Sequence, residues 1–482
     1  MGKQLKRMMR PAPDTAGFAA HWAWIWCVFW SSQFYNEMQN LNALELMPSG
    51  ILEPLWVLSL GTNVLALAVL LMVSRRCNPL ALVRWLPAVA ALATCAGTLC
   101  ISHVTDFMPA PWPGRLYAVG SVLTGAGSAA IVVLWAERFT SFGPRRLVHC
   151  FVAAVLAAVV AYIALMFLPT LLFQCLTACM PLVGMGIYMA QEQKSPRVPL
   201  GFRNVAVRGP VPWMLVAIAL LFGLSFGLMK GLLAPATPQW IELRDWLNVV
   251  AIAGAAVAVY VTMAVLKMDF DHLTYQVALP LMAAGFLFLP LHEPYSIIGT
   301  AVHQFGYQYF YIVLWAIWST VAAHEKVPAA WIVTLGLLAI QLGQLAGSLG
   351  ADVALHCISS DLGKAMISSS CIFAILLASL FVFGSRSAST AWGYVRPMEE
   401  IEEAGGSTEA AIEALSRRFR LTPRESDVFA LLARGRNRAF ICADLVIGEE
   451  TVKSHVKSIY RKLAVHSQQD LINLVEEERA NR

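Results

Sequence analysis

A short basic segment near residue 455 has the spacing of a helix that could bind a polyanion. Val452, Val456, Ile459 and Leu463 recur at steps of four, three and four residues, which is the apolar stripe of an amphipathic helix. The opposite face would present side chains that are basic or short, namely Lys453, Ser454, Lys457 and Arg461. A Lys ammonium can bond guanine O6 and N7 or a phosphate. The pattern predicts a helix that contacts nucleic acid, with a degenerate tail kept for protein contacts as the alternative.

Further helices would hold this segment in place. Thr422-Pro-Arg-Glu425 has the pattern of a capping box with Pro at the first helical position, and predicts a helix that ends at Arg434-Gly435. A second helix is predicted from about Arg438 to Leu445. Gly448 is an acceptable N-cap for the basic helix, predicted from about Glu449 to Leu463. A fourth helix, from Gln468 to about Glu477, would close the unit.

The segment from Leu421 to Val475 resembles the LuxR-type (NarL/FixJ-like) helix-turn-helix domain of bacterial regulators. The resemblance rests on Leu421-Thr-Pro-Arg-Glu425, Thr451-Val-Lys-Ser-His455 and Ile459-Tyr-Arg-Lys-Leu463. In that family the third helix enters the major groove. The resemblance therefore implies DNA binding, with Lys453, Ser454 and Lys457 facing bases and Thr451, His455 and Arg461 close to phosphates. It also implies a dimer on a pseudo-palindromic site.

This segment departs from the family pattern at three positions. Gly448 stands where the family usually has a capping Ser, Gln468 where it usually has Arg, and Cys442 where a small Ala is common. We expect these differences to weaken DNA affinity without breaking the fold. The family often adds a phosphorylated receiver domain, and no such domain is expected here because the preceding region is apolar.

The rest of the chain has the composition of a membrane protein. Of 482 residues, 58% are hydrophobic and 13% are charged, whereas soluble domains carry roughly 25% charged residues. Because a helix needs about 20 apolar residues to cross a bilayer, the sequence predicts twelve spans. They are 18–38, 51–73, 84–102, 116–137, 147–168, 170–190, 213–233, 246–266, 273–291, 296–322, 328–351 and 363–384. The first is interpreted as an uncleaved span, not a signal peptide.

Lys and Arg predict the orientation of these spans. With the N-terminus inside, sixteen basic residues fall on inside segments and four on outside segments, namely Arg115, Lys230, Arg244 and Lys364. This bias follows the positive-inside rule. It predicts a multi-pass protein of the bacterial inner membrane with both termini in the cytoplasm.

The spans divide into six plus six at the polar connection 191–212, a layout that resembles the major facilitator superfamily. In that family the loop after the second helix is Gly-rich, with an Asp and paired basic residues. Here this loop is Ser74-Arg-Arg-Cys-Asn-Pro79, which keeps only the basic pair. The equivalent loop of the second half, 267–272, is also a poor match. Active transport by the usual gating of the family is therefore in doubt.

Several polar and aromatic side chains fall inside the predicted spans. Trp26, Trp30 and Gln33 are expected to share a helix face, and His303, Tyr307 and Tyr311 follow a four-residue spacing. With Gln341 and Gln344 they could form an apolar pocket for a small organic ligand. The alternative is that they bond neighbouring helices or form an interfacial aromatic belt. The carboxylates Glu53, Glu137 and Asp352 fall at span ends, where they would not couple transport to protons.

The sequence as a whole predicts an all-α protein. Its regions are a twelve-helix, major-facilitator-like membrane sensor domain (1–384), a cytoplasmic linker (385–415) and a four-helix LuxR-type DNA-binding domain (416–482). Its predicted partners are DNA, the lipid bilayer and an unknown small-molecule ligand. The resulting hypothesis is a membrane-embedded one-component transcriptional regulator, and the alternative is a transporter with a regulatory DNA-binding tail. No catalytic constellation, metal site or cofactor is expected, and Cys175 and Cys179 are interpreted as structural.

Overall fold

A computed structural model gives the architecture of two compact units, Met1–Met398 and Glu399–Arg482. It describes residues 13–34, 54–74, 80–103, 108–109, 112–140, 142, 144–194, 213–232, 238–266, 277–325, 328–357, 363, 366, 370, 411–419, 421–433, 441–442, 445, 448–463, 465 and 467–480. These residues form helices and the turns between them, with no strand.

The first unit is built from long apolar helices. They are α1 (Pro13–Phe29), α2 (Pro54–Ser74), α3 (Leu86–Cys100), α4 (Trp112–Thr140), α5 (Pro144–Met166), α6 (Thr170–Lys194), α7 (Trp213–Leu232), α8 (Ile241–Tyr260), α9 (Leu279–Phe288), α10 (Tyr295–Glu325) and α11 (Ala329–Cys357). Within the described residues, seven helices are long and apolar enough to cross a membrane, and α3 and α9 are shorter apolar helices. Each of the first eleven predicted spans overlaps one of these helices, and the twelfth, 363–384, lies almost entirely outside the described residues.

The first span differs from its prediction. Helix α1 begins at Pro13 and ends at Phe29, whereas the sequence predicted a continuous span over 18–38. After α1 the chain turns, and the Ser31 hydroxyl accepts a hydrogen bond from the Gln33 amide at 3.1 Å. This local bond caps a new helical turn at residues 32–34. Gln33 therefore does not continue the helix that carries Trp26.

The helices of the first unit form two groups that meet along their sides. Helix α1 packs on α5 and α6, and α4 packs on α2 and α3, while in the second group α7 packs on α11 and α10 packs on α8 and α9. Contacts between the groups run from α2 and α4 to α11 and from α5 to α8 and α10. One direct bond between the groups joins Trp56 Nε1 to Ser348 Oγ at 3.4 Å. We call α1–α6 the first half and α7–α11 the second half.

Helices α7 and α11 approach closely because glycines line their contact. A Cβ added at Gly223 or Gly227 would overlap the carbonyl oxygen of Ile340 or Gln344, respectively. From the other side, a Cβ at Gly343 would overlap the Leu220 carbonyl oxygen. Small residues at four-residue spacing allow such approach in membranes, where packing and hydrogen bonds hold helices together.

Buried charges of the first half are paired near helix ends. Arg138, near the end of α4, donates from Nε to Asp14 and from a terminal nitrogen to Glu192, each at 2.7 Å. Its neighbour Glu137 accepts a hydrogen bond from the backbone amide of Leu80 at 2.8 Å. These contacts join α1, α4 and α6. They also compensate charges that would be costly if left unpaired.

The second unit has its own hydrophobic core. Its described helices are 411–418, α12 (Pro423–Ala433), α13 (Glu449–Leu463) and α14 (Gln468–Ala480), with residues 441, 442 and 445 also helical. Ala411, Ile412 and Leu415 belong to this core, although they fall in the segment predicted as linker. The bounds of α13 agree with the prediction, and α14 extends three residues beyond Glu477. The borders predicted at 384/385 and 415/416 stay predictions, and most of the predicted second helix lies outside the described residues.

Candidate ligand cavity and nucleic-acid interface

A cavity lies between the two halves of the first unit. It contains about 840 Å³ of empty space, part of which is open solvent at its mouth. The first half contributes α1, α2 and α4, and the second half contributes α7, α10 and α11. The lining residues are His21, Trp22, Trp24, Ile25, Trp26, Phe29, Trp30, Trp56, Ser59, Leu60, Asn63, Ser128, Val132, Phe226, Gln304, Tyr307, Gln308, Tyr311, Gln341 and Gln344.

Aromatic rings from the two halves meet in the cavity wall. Trp22 of α1 lies edge-on to Tyr311 of α10, with ring centroids 5.5 Å apart. Phe226 of α7 packs against Tyr307 at 4.3 Å and against Trp30 at 5.7 Å. Much of the wall therefore consists of aromatic rings that pack against one another.

Polar atoms in the wall fall into a bonded and an unbonded group. Gln344 donates to the Tyr307 hydroxyl at 2.6 Å, and Asn63 donates to the Gly125 carbonyl at 3.2 Å and to the Ser128 hydroxyl at 3.1 Å. Other buried polar atoms of the wall have no partner within the described residues. These are both ring nitrogens of His21, Nε1 of Trp22 and of Trp26, Oδ1 of Asn63, Nε2 of Gln304 and Oε1 of Gln341.

The structure brings six of the eight predicted ligand residues together in this wall. They are Trp26, Trp30, Tyr307, Tyr311, Gln341 and Gln344. Gln33 does not line the cavity; its Oε1 accepts a hydrogen bond from Thr170 at 2.5 Å. His303 does not line it either; its Nε2 shares a hydrogen bond with Ser225 at 3.1 Å. Its ring also lies edge-on to Phe286. Helical spacing predicted the face of α10 but not which neighbour each residue on that face would meet.

Other lining residues were not among the predicted ligand residues. Asn63 is a polar residue in the middle of α2, and a polar group inside a span is itself a signal of function. His21 and Trp22 precede the predicted Trp26 on α1. Gln304 and Gln308 lie beside the predicted residues of α10, and only the helix packing shows that they also reach the cavity wall.

The second unit presents the predicted basic helix as an amphipathic element. Val452, Val456, Ile459 and Leu463 are all buried in its core. Thr451, Lys453, Ser454, Lys457 and Arg461 are exposed, and His455 is half-buried. Lys453 pairs with Glu450 at 2.8 Å, so binding of a phosphate or base would require an exchange of that partner. The predicted interface residues thus lie on one accessible helix, α13.

Glu425 joins the start of α12 to α13. The Thr422 amide donates to Glu425 at 2.8 Å, and the Glu425 amide donates back to the Thr422 hydroxyl at 3.3 Å, which confirms the predicted capping box. The same carboxylate accepts hydrogen bonds from Ser458 and Lys462 of α13, each at 2.6 Å. Burial raises its pKa, but these bonds to the charged form outweigh burial and lower the pKa to about 2. This contact fixes α13 against α12.

The two units resemble different known proteins. A family model described as "Bacterial regulatory proteins, luxR family" matches residues 420–475. An HTH-type transcriptional activator of Corynebacterium glutamicum is 39% identical over 54 residues, which is 11% of this chain and 19% of that protein. A nitrate/nitrite response regulator homologue of Haemophilus influenzae is 49% identical over 47 residues, 10% of this chain and 23% of that protein. The chain thus spans about a fifth of the length of these relatives.

Solved structures resemble the membrane part. A bacterial homologue of the iron transporter ferroportin, in an outward-facing state, has a TM-score of 0.55 at 13% identity, covering 77% of this chain and 97% of that chain. The fucose:proton symporter of Escherichia coli, a major facilitator transporter, has a TM-score of 0.49 at 10% identity, covering 77% and 98%. The chain therefore combines a first unit, whose helices are apolar enough to cross a membrane and whose fold resembles that of the ferroportin homologue, with a segment, 420–475, that matches the luxR family of regulatory proteins.

Proposed function

We propose that the chain is a membrane-embedded one-component regulator in which a small ligand, bound in the cavity, changes how α13 engages DNA. The observation that carries this proposal is that both halves line the cavity. A ligand that contacts both halves stabilises one arrangement of them over another, by as much as its affinities for the two arrangements differ. The LuxR-type domain in the same chain supplies the output.

The chemistry of the cavity supports sensing over active transport. No Asp, Glu, Lys or Arg occurs among the described residues that line it. The buried carboxylates among the described residues of the first unit are those of Asp14, Glu137, Asp245 and Asp352, and none of them lines the cavity. A proton-coupled carrier would need a carboxylate able to change its protonation as the substrate moves. The loops 74–79 and 267–272 also match the major facilitator signature poorly, which likewise disfavours active transport.

The proposed orientation follows from the distribution of basic residues. Sixteen Lys and Arg against four favour an arrangement with both termini in the cytoplasm. The DNA-binding domain would then lie on the side of the membrane where the chromosome is. We further propose that the domain binds as a dimer at a pseudo-palindromic site, as helix-turn-helix regulators commonly do.

The assignment of the reading face has a direct test. Lys453→Ala combined with Lys457→Ala, in the full chain reconstituted in nanodiscs, should weaken sequence-specific DNA binding at least tenfold, since each bidentate contact to a base contributes about 1–3 kcal/mol. Genome-wide mapping of the tagged chain would supply the operator for this assay. Arg417→Ala is the matched control, because Arg417 is an exposed basic residue outside α13. Unchanged binding by the double variant would show that α13 is not the reading element.

A second candidate function is transport with a regulatory tail, favoured by the cavity between two halves of a major-facilitator-like fold. Deletion of residues 400–482 separates the two candidates. Uptake or efflux in proteoliposomes that persists after this deletion would establish transport, whereas a sensor should show ligand binding without net solute movement.

A further inference from the structure

The unbonded polar atoms of the cavity include both donors and acceptors. Trp22, Trp26 and Gln304 offer N–H groups, and Asn63 and Gln341 offer carbonyl oxygens. Four of these five side chains are more than nine-tenths buried, and Gln341 is half-buried. Because buried polar groups are normally hydrogen-bonded, these atoms require complementary groups. A ligand that brings only donors or only acceptors would leave several of them unmatched.

The charge around the cavity disfavours a cation most strongly, and it gives an anion no counter-charge among the described lining residues. A charged molecule would lose its hydration shell with no counter-charge among the described lining residues, which is strongly unfavourable. A cation would also meet Lys230, whose Nζ lies 5.2 Å from the ring centroid of Trp30 and 5.6 Å from that of Trp56. Both rings line the cavity, so their attraction for a positive charge is already directed at Lys230.

The shape of the wall favours a flat ring. Trp22, Trp26, Trp30, Tyr307 and Tyr311 all line the cavity, and an aromatic ligand can stack or pack edge-to-face on such side chains. We infer that the cavity binds an uncharged, planar aromatic molecule that carries both a hydrogen-bond donor and an acceptor. This inference rests on the proposed function only in naming the cavity as the sensing site.

Three probes of nearly the same shape separate the charge states. Benzamide is neutral and carries a donor and an acceptor, benzoate is an anion, and benzamidine is a cation. Binding of radiolabelled probes to the full chain in nanodiscs is measured by equilibrium dialysis, with empty nanodiscs as the partition control. We expect saturable binding of benzamide, at one per chain, and at least tenfold weaker binding of benzoate and benzamidine. Equal or tighter binding of either ion, or no saturable binding of benzamide, would overturn the inference.

Variants of the wall test the site itself. Gln341→Met removes the amide while keeping the side-chain length, and should weaken benzamide binding at least fivefold. Trp26→Phe removes a donor while keeping an aromatic ring, and should weaken it by a similar factor. Gln193→Met is the matched control, since Gln193 is an exposed amide near the end of α6. If both wall variants keep wild-type affinity and a wild-type unfolding temperature, benzamide binds elsewhere and the inference is wrong.

Measuring operator binding in the same nanodisc sample tests the ligand class and the regulatory function separately. Selective benzamide binding without any change in operator affinity supports the ligand class and counts against ligand-controlled regulation. If the chain binds its operator sequence-specifically but prefers benzoate or benzamidine to benzamide, the inferred ligand class is wrong. The proposal that the chain is a transcriptional regulator would still stand.

Discussion

Glu425 holds α12 and α13 together through hydrogen bonds to Ser458 and Lys462 while it caps α12. Hydrogen bonds to a charged group contribute about 1.5–3 kcal/mol each, and part of that is lost when the charge is removed. At the scale of single residues, the orientation of the proposed reading helix therefore depends on a carboxylate that lies outside it.

Glu425→Gln should destabilise the second unit by about 1–3 kcal/mol near pH 7. It should also change the pH dependence of stability. The pKa of Glu425 is lowered from 4.5 to about 2, so its contribution is complete above pH 4.5 and is lost as the pH falls towards 2. Urea unfolding of the fragment 399–482 from pH 7 to pH 2 measures both effects. The fragment is suitable because the unit has its own core.

The control for this variant is Glu413→Gln. Glu413 pairs with Arg417 on an exposed helix surface, where such pairs contribute about 0.5 kcal/mol or less. If Glu425→Gln and the wild type lose stability in parallel between pH 4.5 and pH 2, the proposed role of this carboxylate is wrong.

Gly448 sets the start of α13. Its carbonyl accepts hydrogen bonds from the amides of Thr451 and Val452, and a Cβ added there would meet nothing closer than Thr451 Oγ1 at 3.9 Å. Gly448→Ser should therefore fit and add a capping hydroxyl, raising the free energy of unfolding by roughly a few tenths of a kcal/mol. Gly448→Ala adds the same Cβ without the hydroxyl and should not stabilise. A higher urea midpoint for Ser than for Ala is the expected result, and equal midpoints would contradict it.

At the scale of elements, the contact between α7 and α11 fixes one wall of the cavity. Gly227 faces the backbone of Gln344, and the Gln344 side chain bonds Tyr307 in that wall. Ser348 also donates to the Gly227 carbonyl at 3.2 Å. A change in the distance between these two helices would therefore move a polar group of the cavity.

Gly227→Ala should push α7 and α11 apart and cost about 1–3 kcal/mol, because the new methyl group overlaps backbone rather than a flexible side chain. The thermal unfolding midpoint of the detergent-solubilised chain should fall, and benzamide binding should weaken. Gly350→Ala is the matched control on α11, since nothing lies within 4 Å of a Cβ there. Equal midpoints for the two variants would show that this contact is not tight.

Local sequence patterns predicted the positions of helices well, but they predicted the contacts between helices less well. The bounds of α13 follow from a cap and an apolar stripe within 15 residues, so the sequence alone was sufficient. The extent of α1 was mispredicted because hydropathy does not detect the Ser31 hydroxyl that starts a new turn. His303 has the spacing of Tyr307 and Tyr311, but its neighbour Ser225 lies 78 positions away in sequence. Only the packed structure shows such a pairing.

At the scale of the whole molecule, the charge distribution makes a prediction about topology. A green fluorescent protein fusion after residue 384 should fluoresce, and an alkaline phosphatase fusion there should be inactive, because the C-terminal side is expected in the cytoplasm. Fusions after Leu232, beside the outside residue Lys230, should show the opposite pattern. Phosphatase activity at residue 384 would place the DNA-binding domain outside the cell and end the proposal.

The presence of the cavity and α13 in one polypeptide has a thermodynamic consequence. If an occupied cavity raises the affinity of the chain for its operator by some factor, operator DNA must raise the affinity for the ligand by the same factor. The concentration at which a cell responds would then depend on how many operator copies the regulator can reach. A strain carrying the operator on a multicopy plasmid should retain more ligand on this protein than a strain with a single chromosomal copy, at the same external dose.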